Sequence, residues 1–179
     1  GDLVVGLAQR QGVSLIPLDT ALNGIWQCLQ GESHNLNRII LTTSVGSARR
    51  QTPAELQALT REEALSYSSG RMGYKPAVDS LTQINTGFQA IEAKALFDVS
   101  YERIELLHHP EDVVRSMVEF IDGSLKATLA PPLMRLPIQY ALTYPYRLPS
   151  AEIPRLDLAK LGHLTFEPIE LDQFPCLKM

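Results

Sequence analysis

Three polar residues, Ser80, Asn85 and Thr86, stand where an apolar stripe begins within residues 71–93, RMGYKPAVDSLTQINTGFQAIEA. Hydroxyl and amide groups beside the unpaired N–H groups of a helix's first turn can hold a phosphate, because those donors point outward and the helix dipole favours an anion. Asp79 or Ser80 can instead cap the same turn, so the anion reading and the plain capping reading use the same atoms. Asp19 is a second candidate. It follows the apolar run VSLIPL, residues 13–18, whose length between Gly12 and Asp19 predicts a buried strand. A carboxylate at a strand end lies where α/β proteins commonly assemble their sites, although Asp19 or Thr20 can also cap the helix that follows. A third stretch, SVGSARR at residues 44–50, either cradles an anion through backbone N–H groups or forms a solvated turn.

The elements that must position these groups are legible in the spacing. Leu81, Ile84, Phe88, Ile91 and Ala95 recur at steps of three and four, predicting one helix with that stripe turned to a core and an end near Asp98. Leu3, Val4, Leu7 and Ala8 predict a first helix stopped by Gly12, and Leu22, Ile25, Trp26 and Leu29 a second stopped by Gly31. Residues 38–43, RIILTT, read as a strand. Thr52-Pro53-Ala54-Glu55 and Thr60-Arg61-Glu62-Glu63 are capping boxes that open two short helices. Residues 66–74, SYSSGRMGY, read as a loop. Residues 102–108, 116–120 and 124–129 alternate as strands, the last two joined by a turn at Asp122-Gly123, with Leu125, Ala127 and Leu129 on one face. The remainder, rich in proline, reads as irregular wrapping. The predicted class is α+β: a mixed sheet with an antiparallel hairpin and flanking helices. A sheet left uncovered on one face would pair two copies.

Composition narrows the partners. The 179 residues are enough for one domain with a sizeable core, and a net charge of −4 supplies no basic field for nucleic acid or an anionic membrane. No apolar run approaches the roughly 20 residues a membrane-spanning helix needs, and no signal peptide opens the chain. Cys28 and Cys176 have neither pairing nor metal spacing, which predicts two buried thiols in a reducing compartment. The opening GDLVV and the closing FPCLKM predict a piece of a longer protein.

Several motifs in order carry a resemblance over essentially the whole chain: SLIPLDTALNGIWQCLQG, RIILTTSVGSARRQTP, RMGYKPAVDSLTQINTGFQAIEAKALF, LLHHPEDVVRSMVEFIDGS, MRLPIQYALTYPYR and LTFEP. The chain resembles the central catalytic and connecting region of the 1-deoxy-D-xylulose 5-phosphate reductoisomerase family. The resemblance implies an α/β catalytic domain, a homodimer joined through its connecting sheet, and a phosphorylated sugar substrate. It also implies NADPH and Mg²⁺ or Mn²⁺ as cofactors, and a cytoplasmic or plastid stromal location. Residues 1–179 would form one domain, without the family's N-terminal dinucleotide-binding domain or its C-terminal helical bundle; no GxGxxG fingerprint occurs.

Residue by residue, the resemblance puts Asp19 at the family's metal-binding aspartate, but Ala21 and Gln89 at the two glutamates. One carboxylate and a neutral amide are a poor set for a hard cation, so weak metal binding or none is expected. Ser44, Ser80 and Asn85 match phosphate ligands, and Thr86 replaces a lysine. That exchanges a charged hydrogen bond of roughly 1.5–3 kcal/mol for a neutral one of about 1 kcal/mol. Thr20 matches a substrate-contacting serine, His109 a catalytic histidine near the substrate end, and Gly73 the glycine that approaches the nucleotide. Tyr67 and Gly70 replace a histidine and a tryptophan of the closing loop. Two functions follow: a weakened or inactive relative of the reductoisomerase, or a non-catalytic phosphometabolite-binding or dimerisation module.

Overall fold

The computed structural model describes residues 1–44, 52–66 and 74–178, the side chains of Pro53, Leu65, Ser66, Tyr74, Pro76, Ala77 and Ser80 excepted. The tip of SVGSARR and residues 67–73, with Gly73, Tyr67 and Gly70, lie outside them. The elements in order are α1 (Asp2–Gln11), α2 (Thr20–Cys28), β1 (Leu36–Thr43), α3 (Pro53–Ala58), α4 (Arg61–Ser66), α5 (Tyr74–Thr82), α6 (Ile84–Phe97), β2 (Ile104–His108), β3 (Val114–Phe120), β4 (Leu125–Leu129), α7 (Arg135–Thr143), α8 (Leu158–Leu161) and β5 (Glu167–Pro168). The five strands form one mixed sheet in the order β4-β3-β1-β2-β5. β1 and β2 run parallel, and the other pairs are antiparallel.

α2 and α6 cover one face. Leu22 and Ile25 from α2, Ile39 and Leu41 from β1, Val118 and Phe120 from β3, and Ala90 and Ala93 from α6 form the core. Leu22, Ile25, Ile39 and Leu41 are at most 2% exposed, so truncating one to alanine costs about 2–5 kcal/mol. On the opposite face Arg38 bridges Glu105 at 2.7 Å and Glu119 at 2.8 Å, next to the cross-strand pairs Ile40–Met117, Met117–Ala127 and Glu119–Leu125.

Several expectations need correcting. Residues 13–18 join no strand. Val13 is 58% and Leu18 48% exposed, Val13 N–H bonds back to Ala8, and Pro17 has no N–H while its carbonyl accepts from Asn23 Nδ2 at 2.8 Å. Pro17 therefore cannot donate to a sheet ladder. The single helix is two, α5 and α6, broken at Gln83 with φ 58°, and α5 begins at Tyr74 rather than at a cap by Asp79 or Ser80.

The apolar stripe is also only partly turned to the core: Leu81, Ile84 and Ala95 are half-buried. Phe88 is 53% and Ile91 48% exposed, whereas Thr86, Gly87, Ala90 and Ala93 are buried. Small residues win that face because the neighbours come close: a Cβ on Gly87 would sit 3.2 Å from the Cys176 carbonyl oxygen. In the proline-rich remainder α7 is a true helix; Pro137 sits in its first turn, where its missing N–H costs no intrahelical bond. Trp26 anchors α7 through edge contacts with Tyr140 and Tyr144, at 6.0 and 4.8 Å between ring centres. A register shift between Val114 and Met117 places the irregularity in β3, with Leu129 paired to Val114, Ala127 to Met117 and Leu125 to Glu119. Cys28 is buried as expected, but Cys176 is only half-buried; both thiols are free.

Candidate functional site

An open cleft of about 750 Å³ lies at the carboxyl ends of the parallel pair β1 and β2. Thr43 and Ser44 come to it from the end of β1, Asp19 and Thr20 from the start of α2, and Asn85, Thr86, Gln89 and Glu92 from α6. Asp112 and Arg115 enter from the turn into β3.

Asp19 caps α2: its Oδ1 accepts from the Ala21 N–H at 2.8 Å and from the Leu22 N–H at 3.2 Å. Across the cleft the Gln89 amide donates to both carboxylate oxygens of Asp19, at 3.0 Å each. Ala21 is buried and brings no donor atom. Among the described residues no three His, Cys, Asp or Glu side chains converge as an ion's ligand set.

α6 starts without a side-chain cap, because Gln83, its N-cap residue, turns its amide inward. Gln83 Oε1 accepts from the Thr43 hydroxyl and, at 3.1 Å, from the Thr86 hydroxyl. Thr86 is 5% exposed, so the residue in the lysine's place spends its hydroxyl inside the protein. Asn85 is exposed at the same helix start, and Ser44 is half-buried beside it.

Asp112 holds a left-handed conformation, φ 57°. Burial pushes its carboxyl above the ordinary value, opposed by the Arg115 guanidinium, the Ser44 hydroxyl and His109. Arg115 Nη2 donates to Asp112 Oδ2 at 2.8 Å. Burial, then the charge of Asp19, pushes the Glu92 carboxyl up as well.

The cleft thus gathers Asp19, Thr20, Ser44, Asn85, Thr86 and Gln89, all singled out by sequence. Ser80 lies on α5, and Gly73 is outside the described residues. His109 is not among the cleft residues. It is 1% exposed, its ring stacks on Phe166 with centres 4.7 Å apart, Nδ1 lies 2.8 Å from the Thr165 carbonyl oxygen, and Nε2 accepts from the Val113 N–H at 3.4 Å. Here it ties the segment before β5 to the turn that carries Asp112.

Thr43, Gln83, Glu92, Asp112 and Arg115 were missed. Glu92 had a signal: Asn85, Gln89 and Glu92 recur at steps of four and three as a polar stripe on α6. Asp112 follows the adjacent pair His108 and His109, a spacing that carries no sign of convergence with Asp19. Its left-handed turn and the sheet's crossover bring it there.

A mixed sheet with helices on one face and a polar cleft over its parallel pair defines an α/β ligand-binding domain of the kind that serves as an enzyme's catalytic half. Residues 15–97 match the 1-deoxy-D-xylulose 5-phosphate reductoisomerase C-terminal domain, and residues 129–179 match the DXP reductoisomerase C-terminal domain. The chain is 47% identical over 180 residues to the 1-deoxy-D-xylulose 5-phosphate reductoisomerase of Geobacillus sp. (strain WCH70), covering 100% of this chain and 47% of that protein. It is 46% identical to that of Bacillus subtilis (strain 168), covering 99% and 47%. Among solved structures, the reductoisomerase from Zymomonas mobilis in complex with NADPH superposes with a TM-score of 0.88 at 36% identity, over 98% of this chain and 45% of that one. A DOX-P reductoisomerase in complex with NADPH, fosmidomycin and magnesium gives 0.87 at 38% identity, over 99% and 46%. The chain belongs to the 1-deoxy-D-xylulose 5-phosphate reductoisomerase family and spans about half the length of the curated relatives it matches. Among the described residues no helix is long and apolar enough to cross a membrane.

Proposed function

We propose that this chain is the catalytic and connecting portion of a reductoisomerase relative that binds a phosphorylated sugar-like metabolite and has lost most or all of the family's metal-dependent turnover. The family reaction rearranges 1-deoxy-D-xylulose 5-phosphate and reduces it with NADPH to 2-C-methyl-D-erythritol 4-phosphate, a step of isoprenoid biosynthesis. The observation that carries the reading is the Gln89 amide, 3.0 Å from each oxygen of Asp19. A neutral donor already satisfies both oxygens of the carboxylate, and Ala21 adds no oxygen. Hard divalent ions need several anionic oxygens, so this donor set does not fit Mg²⁺ or Mn²⁺.

What the residues retain is recognition. The uncapped start of α6 presents N–H groups beside Ser44 and Asn85, a setting suited to a phosphate. Thr20, which also lines the cleft, would meet the sugar hydroxyls. The relatives solved with NADPH, with fosmidomycin and with magnesium support the class of ligand, and the nucleotide would be seated by residues outside this domain. His109 would act by positioning Asp112. The sheet face bearing Met117, Ala127 and exposed Leu125 is the proposed homodimer surface, and the setting is cytoplasmic or plastid stromal.

Titration calorimetry with 1-deoxy-D-xylulose 5-phosphate, with and without Mn²⁺, tests this. The reading predicts weak binding that Mn²⁺ does not change; tight, Mn²⁺-dependent binding would overturn it in favour of a working enzyme. A chain that binds no phosphosugar but dimerises would leave the dimerisation module.

A further inference from the structure

We infer that the pocket between α2, β4 and α7 is a separate site for a small anion, a carboxylate or a phosphate, built on Arg115 and Arg147. This pocket, about 260 Å³, adjoins the cleft and shares Thr20 and Arg115 with it. Their charges differ. The cleft is lined by the carboxylates of Asp19, Asp79, Glu92 and Asp112, whereas the side pocket is lined by two guanidiniums and no carboxylate.

Neither guanidinium is fully satisfied by charge. Arg147 donates to the neutral Gln27 amide oxygen at 2.6 Å and lies over the Tyr140 ring, 4.1 Å from its centre; among the described residues it forms no ion pair. Arg115 gives Nη2 to Asp112 on the cleft side, while its Nε is buried with no acceptor among the described residues. A buried donor left without an acceptor is unfavourable, which favours an acceptor bound beside this guanidinium.

The rest of the wall fits a small anion with a short carbon body. Thr128 offers a hydroxyl, Leu136 and Pro137 give an apolar side, and Asn23 and Gln27 hold the geometry. Asn23 is fully buried, and Gln27 Nε2 donates to its side-chain oxygen at 2.6 Å. That bond leaves Gln27 Oε1 facing Arg147, so the guanidinium is pre-set at the pocket's rim. Planar, forked donors match the oxygens of carboxylate and phosphate.

The inference goes beyond the phosphosugar reading, whose phosphate lies at the start of α6. The two are separated by titrating the full chain with inorganic phosphate and, in a second arm, with acetate, following the arginine Nε–H signals by NMR. Saturable shifts of the Arg115 and Arg147 signals are expected. Arg147→Gln should weaken that binding about tenfold, Arg147→Lys less, and Ser44→Ala with Asn85→Ala not at all. Circular dichroism confirms that each variant folds. The arm that saturates at lower concentration names the anion. If neither anion moves the arginine signals, or if phosphate binding depends on Ser44 and Asn85 alone, the side pocket is not an anion site and the phosphosugar reading stands. If the arginine signals move but no site depends on Ser44 and Asn85, the phosphosugar reading falls and the side pocket remains.

Discussion

Gln89 and Asp19, 70 residues apart in sequence, face each other across the cleft with both carboxylate oxygens 3.0 Å from one amide nitrogen. The same carboxylate caps α2, its Oδ1 accepting from the Ala21 and Leu22 N–H groups.

Restoring the acids should restore the ion. Gln89→Glu alone puts two carboxylates about 3 Å apart, a like-charge contact that raises one of their pKa values and lowers stability. Ala21→Glu with Gln89→Glu supplies three anionic ligands, and Mn²⁺ affinity measured by calorimetry should rise at least about a hundredfold over the parent. Mn²⁺ should also raise the melting temperature of the double variant and leave the parent unchanged.

Asp112 makes stability depend on pH. Its carboxyl is held above its ordinary value by burial, so across the window from that ordinary value upward the folded chain binds more protons than the unfolded chain. The contribution is therefore greatest at low pH and is lost as pH rises through the raised value. Glu92 acts in the same direction. Denaturant unfolding from pH 3 to 8 should give a parent-minus-Asp112→Asn difference that falls with pH; a difference that rises would reverse the assignment.

Gly24 is where α2 lies on the sheet. A Cβ there would sit 2.7 Å from Ser116 Oγ and 2.8 Å from Thr128 Oγ1. Overpacking of this kind costs about 1–3 kcal/mol, against about 1 kcal/mol gained in helix propensity. Gly24→Ala should lower the melting temperature, and Thr128→Ala in the same chain should recover part of the loss in a double-mutant cycle. Ser116 is the poorer partner to trim, because its hydroxyl donates to the Ala21 carbonyl at 2.7 Å.

The open sheet face predicts self-association. Leu125 is 54% exposed on the strand next to Met117. Leu125→Glu with Met117→Glu should shift the chain from dimer to monomer in analytical ultracentrifugation without unfolding it. A parent chain already monomeric at micromolar concentration would remove the dimer from the proposal.

Local chemistry was readable without coordinates. The capping box at Thr52 and Glu55 forms as spaced, Glu55 carboxylate on the Thr52 N–H and Thr52 hydroxyl on the Glu55 N–H, and Gly12 stops α1 at φ 63°. Strands β1, β2, β3 and β4 and the Asp122-Gly123 turn follow from alternation and turn residues. The cap at Asp19 follows from its place before an apolar helix. These features depend on neighbours within a few residues, which a sequence displays directly.

By itself, then, the sequence determined the class of fold and the family. Tertiary structure decided the rest. Which face of α6 is buried depends on how closely α2 and residues 175–177 approach, and small side chains prevailed over Phe88 and Ile91 there. The partner of Asp19, the arrival of Asp112 and Arg115 in the same cleft, and the diversion of His109 into a buried stack all depend on contacts between residues dozens of positions apart. Periodicity carries no information about such distances; only the packing of the helices on the sheet does.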